Sequence, residues 1–226
     1  MLKGILFDLD GVITDTAKLH YLAWKEIVAE LGVNYTVEEN EGLRGLPRKD
    51  TLLAILKLKN KDIPSDHIID DLCHRKNELY KKYLSEELKS DSVLPGIIEF
   101  INEAKANNIK LAIASSSYNA PVILKKLGIY DKFDFIVNPG DVKKGKPAPD
   151  IFIAAAEGLK LQPNECIGIE DSVEGLNSIV SAKIFSVAIT NNSNEDFSKA
   201  DVQLSFTNSL DFNNIKKLFQ SSKGTN

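Results

Sequence analysis

Four carboxylates, one lysine and a run of hydroxyls stand at positions in this sequence from which they could work together. Asp8 and Asp10 close the first apolar run, and Ser115, Ser116 and Ser117 follow residues 111–114. Lys146 opens a Lys-Pro-Ala-Pro-Asp stretch, and Glu170 and Asp171 follow Ile167-Gly-Ile. Two like charges about 4 Å apart repel by roughly 4 kcal/mol at an effective dielectric of 20. Gathered carboxylates must therefore hold protons or hold a cation. Only oxygen ligands are on offer, and none of the three histidines lies near these positions in the chain. The expected cation is accordingly hard, Mg²⁺ before Ca²⁺ or Zn²⁺. A carboxylate, a metal, a lysine and hydroxyls together are the components of phosphoryl transfer.

The elements that must bring these residues together are legible as short runs with apolar residues on consecutive positions: residues 5–7, 111–114, 135–137, 166–169, 184–189 and 202–204. Such runs suit strands buried on both faces, as in a parallel sheet. Helical patterns separate them. Pro95-Gly96 opens one that reaches Asn107, Pro121 lies near the start of another that Gly128 ends, and Ser172 can cap a third running to about Ala182. The alternation predicts a doubly wound α/β domain, in which ligands gather beyond the carboxyl ends of the strands. Residues 16–88 break the rhythm. They contain only helical segments, at 16–31, 48–58 and 66–84, and read as a helical cap domain inserted into a core made of residues 1–15 and 89–226. The polar tail from Ser221 is expected to fray.

Composition narrows the function. The 226 residues are 43% hydrophobic, enough for one sizeable core, or for a core plus a modest insertion. With 28 basic against 32 acidic residues the net charge is −4, so no global positive field favours nucleic acid. Two cysteines, Cys73 and Cys166, suit a reducing compartment. No apolar stretch approaches the roughly 20 residues that span a bilayer, and a cytoplasmic monomer is expected. Gly140 to Lys146 mimics a nucleotide P-loop, but Pro147 stands where the metal-binding Ser or Thr belongs.

In four ordered stretches the chain resembles the haloacid dehalogenase superfamily: Asp8-Leu-Asp-Gly-Val, Ser115, Lys146 and Glu170-Asp171. The stretches FDLDGVITDTA, HYLAWK, HRKN, ASSSYNAP and KPAPDIFIAAA are similar to its sugar-phosphate mutases. The resemblance implies a Rossmann-like parallel-sheet core with a cap, and a Mg²⁺-dependent enzyme of sugar phosphates. Asp8 would accept the phosphoryl group, and Asp10 would act as general acid and base, its environment loading a carboxyl whose ordinary pKa is about 3.9. Ser115 and Lys146 would stabilise transferring charge. Mg²⁺ would take Asp8, the backbone carbonyl of Asp10, Glu170 and Asp171. His20, Trp24, Arg44, Gly45, Arg48, Thr51, Lys76, Ser117 and Asn119 would bind substrate, with Arg48 suited to bidentate grip of a distal phosphate. Arg44 stands where a lysine is usual, and Tyr118 where a basic residue is common. The implied reaction interconverts β-D-glucose 1-phosphate and D-glucose 6-phosphate through a phospho-Asp8 and a β-glucose 1,6-bisphosphate. The alternatives are a sugar-phosphate phosphatase on the same scaffold and, in another class, a non-catalytic metabolite-binding protein.

Overall fold

A computed structural model describes residues 1–43 and 45–222. Each expected strand forms: β1 (Gly4–Phe7), β2 (Lys110–Ile113), β3 (Phe135–Ile136), β4 (Cys166–Glu170), β5 (Phe185–Ile189) and β6 (Val202–Leu204). They pair in parallel in the order β3-β2-β1-β4-β5-β6. The chain works outward from β1 through β2 and β3, then returns to the other side of β1 with β4. The reversal places a topological switch point between β1 and β4, where a crevice opens beyond the strand ends. At the sheet's two edges lie its shortest strands, β3 and β6, which limits the unpaired backbone presented there.

Every residue of β1, β4 and β5 is buried, as consecutive apolar positions require of central strands covered on both faces. Neighbouring side chains of β1 point to opposite faces. Leu6 packs with Ala112, Ile151, Phe152, Ala155 and Ile179, beneath α7 (Asp150–Gly158) and α8 (Val173–Ser181). Phe7 meets Phe100 and Phe133 edge-on, and Phe100 in turn meets Phe212, bringing in α5 (Ile97–Ala106) and α9 (Phe212–Ser222). The sheet is therefore covered by helices on both faces, the doubly wound α/β class expected from the alternation of patterns.

The chain divides into two compact units, one of Met1–Asp15 with the chain from Lys89 onward, the other of Thr16–Leu88. The second unit is helical: α1 (Ala17–Ala29), α2 (Val37–Glu41), α3 (Arg48–Leu58) and α4 (Asp66–Glu87). Its core is built from Trp24, Ile27, Val28, Tyr35, Leu52, Ile55, Ile69 and Leu72. The short α2 escaped the periodicity reading because five residues make little more than one turn. A reciprocal cap defines it instead, with Thr36 Oγ1 accepting from Glu39 N and Glu39 Oε2 from Thr36 N. In the sheet unit α6 (Ala120–Lys126) and α8 start where proline and serine signals place them, and Ser172 Oγ accepts from Gly175 N as a cap.

Candidate active site

Asp8 is the first residue beyond β1, and its N–H continues the ladder by donating to the Ile169 carbonyl (2.9 Å). Phe7 is in register with Ile169, so Asp8 and Glu170 leave the sheet side by side at the switch point. On the other flank Ala114 N donates to the Phe7 carbonyl, which sets the start of the serine run beside β1. That run is braced internally: Ser115 Oγ accepts from Ser117 N, and Ser117 Oγ from Asn119 N (both 3.2 Å). Ser115 and Asn119 are buried, Ser117 half-buried.

Lys146 arrives from the loop before α7. Its ammonium donates to Asp8 Oδ1 (2.5 Å) and to Glu170 Oε1. The side chain is only 8% exposed, so the pair is shielded from water. The P-loop mimicry dissolves here, because Lys146 serves two carboxylates and Pro139–Asp141 is a single tight turn. Ser178 Oγ of α8 donates to the Ala148 carbonyl (2.6 Å) and ties this loop to the helix that follows Glu170.

Glu170 is caged. Its Oε2 accepts from Asp171 N, Ser172 N and Ser172 Oγ, at 2.8, 2.8 and 2.9 Å. Gly175 makes room for it, since a Cβ there would lie 1.8 Å from Oε1. A similar fit places Asp171 against the turn after β1. There Gly11 has φ +83°, and an added Cβ would lie 1.8 Å from Asp171 Oδ2. Gly11 N donates to the Thr14 carbonyl (2.7 Å), and Asp10, half-buried, bridges to Thr14. The sequence reading missed Gly11, Gly175 and the bonding of Ser172 to Glu170. A glycine directly after the carboxylate pair, and a serine–glycine pair three apart after the other, were the available signals.

The electrostatics follow from burial. Burial pushes the Asp8 carboxyl up to about 7, Lys146 pulls it back, and Glu170 and Asp10 add repulsion. Burial also opposes the charge on Lys146, but Asp8 and Glu170 overcome it and hold the ammonium above the usual lysine range. One lysine thus faces more negative charge than it can balance. Among the described residues, no three His, Cys, Asp or Glu side chains stand as a group that could hold a metal ion, and Lys146 Nζ lies between Asp8 and Glu170. The donor chemistry nevertheless fits a hard divalent cation: oxygen atoms only, an excess of negative charge, and a carboxyl whose pKa that charge would lower.

The helical unit carries a second polar cluster. Lys76 is buried to 2% exposure, and its ammonium donates to His20 Nδ1 (2.7 Å), leaving the imidazole proton on Nε2. The ammonium also lies over the rings of Trp24 (5.0 Å) and Tyr80 (4.8 Å). Trp24 is itself buried in the unit's apolar core, so what it offers the cluster is a ring face. Tyr80 OH and Thr16 Oγ1 share a hydrogen bond (2.8 Å). The half-buried Arg48 donates to Asn77 Oδ1 (2.7 Å). Thr51 Oγ1 is near the Leu46 and Pro47 carbonyls (3.2 and 3.0 Å), where its hydroxyl closes the start of α3. Gly45 is exposed with φ +79°. Arg44 lies outside the described residues. Tyr80 and Asn77 were not singled out in the sequence, although Asn77 closes the HRKN stretch and Tyr80 stands one turn from Lys76 on α4.

A parallel sheet whose switch point gathers carboxylates around a buried lysine defines a class of phosphoryl-group enzymes, and the chain belongs to the haloacid dehalogenase-like hydrolase family, whose model matches residues 2–183. It is 42% identical to the β-phosphoglucomutase of Bacillus subtilis over 189 residues, 83% of each chain. It is also 31% identical to a phosphorylated carbohydrates phosphatase of Thermotoga maritima over 186 residues, 81% of this chain and 82% of the relative. The crystal structure of a β-phosphoglucomutase from Clostridium difficile superposes with a TM-score of 0.93 at 39% identity, covering 99% of this chain and 100% of that one.

Proposed function

We propose that this chain is a Mg²⁺-dependent mutase that interconverts β-D-glucose 1-phosphate and D-glucose 6-phosphate. The observation that carries the reading is its likeness to the C. difficile mutase, with a TM-score of 0.93 over 99% of this chain. The buried Asp8–Lys146–Glu170 arrangement supports the chemistry.

Asp8 is the nucleophile and carries the phosphoryl group as an aspartyl phosphate. Phospho-Asp8 donates the group to the 6-hydroxyl of β-glucose 1-phosphate while the Asp10 carboxylate takes the hydroxyl proton. The product is β-glucose 1,6-bisphosphate. After the sugar turns over, Asp8 attacks the phosphorus at C1 and Asp10 returns the proton to the leaving oxygen, which releases glucose 6-phosphate and restores phospho-Asp8. Lys146 and Ser115 stabilise charge on the phosphoryl oxygens as they pass. Asp8, Glu170, Asp171 and the Asp10 carbonyl would hold Mg²⁺, which supplies charge neutralisation at the phosphoryl group. Binding of the sugar and its second phosphate is assigned to His20, Trp24, Arg44, Gly45, Arg48, Thr51, Lys76, Ser117 and Asn119. Among the described residues no helix is long and apolar enough to cross a membrane. The setting we assign is the cytoplasm and the working form a monomer.

The rival reading, a phosphatase, rests on the 31% identity to the T. maritima enzyme. Incubation with β-glucose 1-phosphate, Mg²⁺ and a trace of β-glucose 1,6-bisphosphate separates the two. The mutase yields glucose 6-phosphate with little inorganic phosphate. Rapid phosphate release with little glucose 6-phosphate would overturn it in favour of the phosphatase.

A further inference from the structure

Lys146 has a third neighbour besides Asp8 and Glu170. Its ammonium lies 5.2 Å from the ring centroid of Phe152, in the first turn of α7 and fully buried. We infer that Phe152 is a positioning residue, whose ring face holds the Lys146 ammonium between Asp8 and Glu170. The inference deepens the proposed reaction and rests on the role given there to Lys146.

A lysine carries its charge at the end of four freely turning bonds, and two carboxylates alone do not fix where it rests between them. The two charged contacts come from Asp8, just beyond β1, and from Glu170 at the end of β4. Phe152 comes from α7, which packs over one face of that sheet, so the ring is a third, uncharged contact supplied by a separate element. An aromatic face attracts a cation within about 6 Å, and does so most strongly where water is excluded. The Lys146 side chain is 8% exposed, so the contact lies in that regime. A leucine would fill the same apolar slot beside Ile151, Ala155 and Ala156 but would offer the ammonium nothing. α7 thereby links core packing to the chemistry, because the residue that seals the sheet also aims the lysine.

The deciding experiment changes the ring's electrons without changing its shape. Phe152 is replaced in the full chain by 4-fluoro-, 3,5-difluoro- and 3,4,5-trifluorophenylalanine, which drain the ring face stepwise at nearly constant volume. The expected result is a graded fall in kcat reaching about tenfold for the trifluoro ring, with KM and thermal midpoint almost unchanged. Phe152→Leu should fall at least as far in kcat. A second readout needs no turnover: the ammonium resonance of Lys146, assigned by its loss in Lys146→Met, should shift stepwise across the same series. Equal kcat values, or an ammonium resonance that does not move with fluorination, would overturn the inference. Should unsubstituted enzyme fail to isomerise β-glucose 1-phosphate, the proposed reaction falls, while the resonance still decides the role of Phe152.

Discussion

Replacing glycine by alanine inside a helix usually stabilises a protein by up to about 1 kcal/mol, since the flexible residue loses more freedom on folding. Gly175→Ala in α8 should do the reverse. The added Cβ would lie 1.8 Å from Glu170 Oε1, 2.0 Å from Cδ and 2.5 Å from Oε2, so the whole carboxylate must retreat. Retreat stretches the bonds to Oε2 from Asp171 N, Ser172 N and Ser172 Oγ, and withdraws Oε1 from Lys146. Hydrogen bonds to a charged group contribute about 1.5–3 kcal/mol each. Loss of even one or two outweighs the helical gain and leaves a net destabilisation of about 2 kcal/mol. In a chain of this length that lowers the thermal midpoint by roughly 4–8 °C. The measurement is urea and thermal unfolding in EDTA, repeated with Mg²⁺, with Mg²⁺ affinity by calorimetry. Gly42→Ala is the counterpart, because its φ is −69° and its Cβ would meet nothing nearer than 3.7 Å. That substitution should be neutral or stabilising by about 0.5 kcal/mol. A Gly175→Ala protein as stable as its parent, with its Mg²⁺ response intact, would refute the reasoning.

Three further outcomes are expected. Mg²⁺ should stabilise the folded chain by about 2.7 kcal/mol at a hundred times its dissociation constant, which raises the thermal midpoint by roughly 5–10 °C; an unmoved midpoint would count against the oxygen-donor site. In EDTA, stability should fall as pH rises from about 4 to about 7. The Asp8 carboxyl is raised from 3.8 to about 7 by burial, so in that window the folded state binds more protons than the unfolded one. Urea midpoints at the two ends of the window test the sign, and Asp8→Asn should flatten the slope. Asp10→Asn should lower turnover about 10²–10⁴-fold while Mg²⁺ and sugar phosphate still bind, and retained turnover would remove Asp10 from the proton path.

The strands of the sheet were legible because each is a run of consecutive apolar residues, the mark of burial on two faces. Their chemical ends were legible too: Asp8, Ser115 and Glu170 each stand within two residues of a strand terminus. α9 went unread, although Phe212, Ile215 and Phe219 lie at helical spacing and are buried; only the polar residues from Ser221 drew attention in that tail. Trp24, assigned to substrate binding, lies in the apolar core of its unit with its ring turned to Lys76. Nothing in a lone Lys76 on a helix signals that its charge is enclosed by His20, Trp24 and Tyr80, since that enclosure is made across the packing of α1 on α4.

Periodicity, caps and the chemistry of each strand end are local properties, carried by residues a few positions apart, and these the sequence determined unaided. The neighbour relations of the strands it did not determine. That β4 pairs with β1, and so sets Glu170 beside Asp8, is a contact between residues far apart in the chain, chosen by which burial of both faces is best for the whole sheet. The same holds for Lys146, which crosses from its loop to both carboxylates, and for the glycines that leave room for Glu170 and Asp171. Tertiary structure decided these because a charge becomes costly, and therefore specific in its partners, only after the surrounding fold has removed the water.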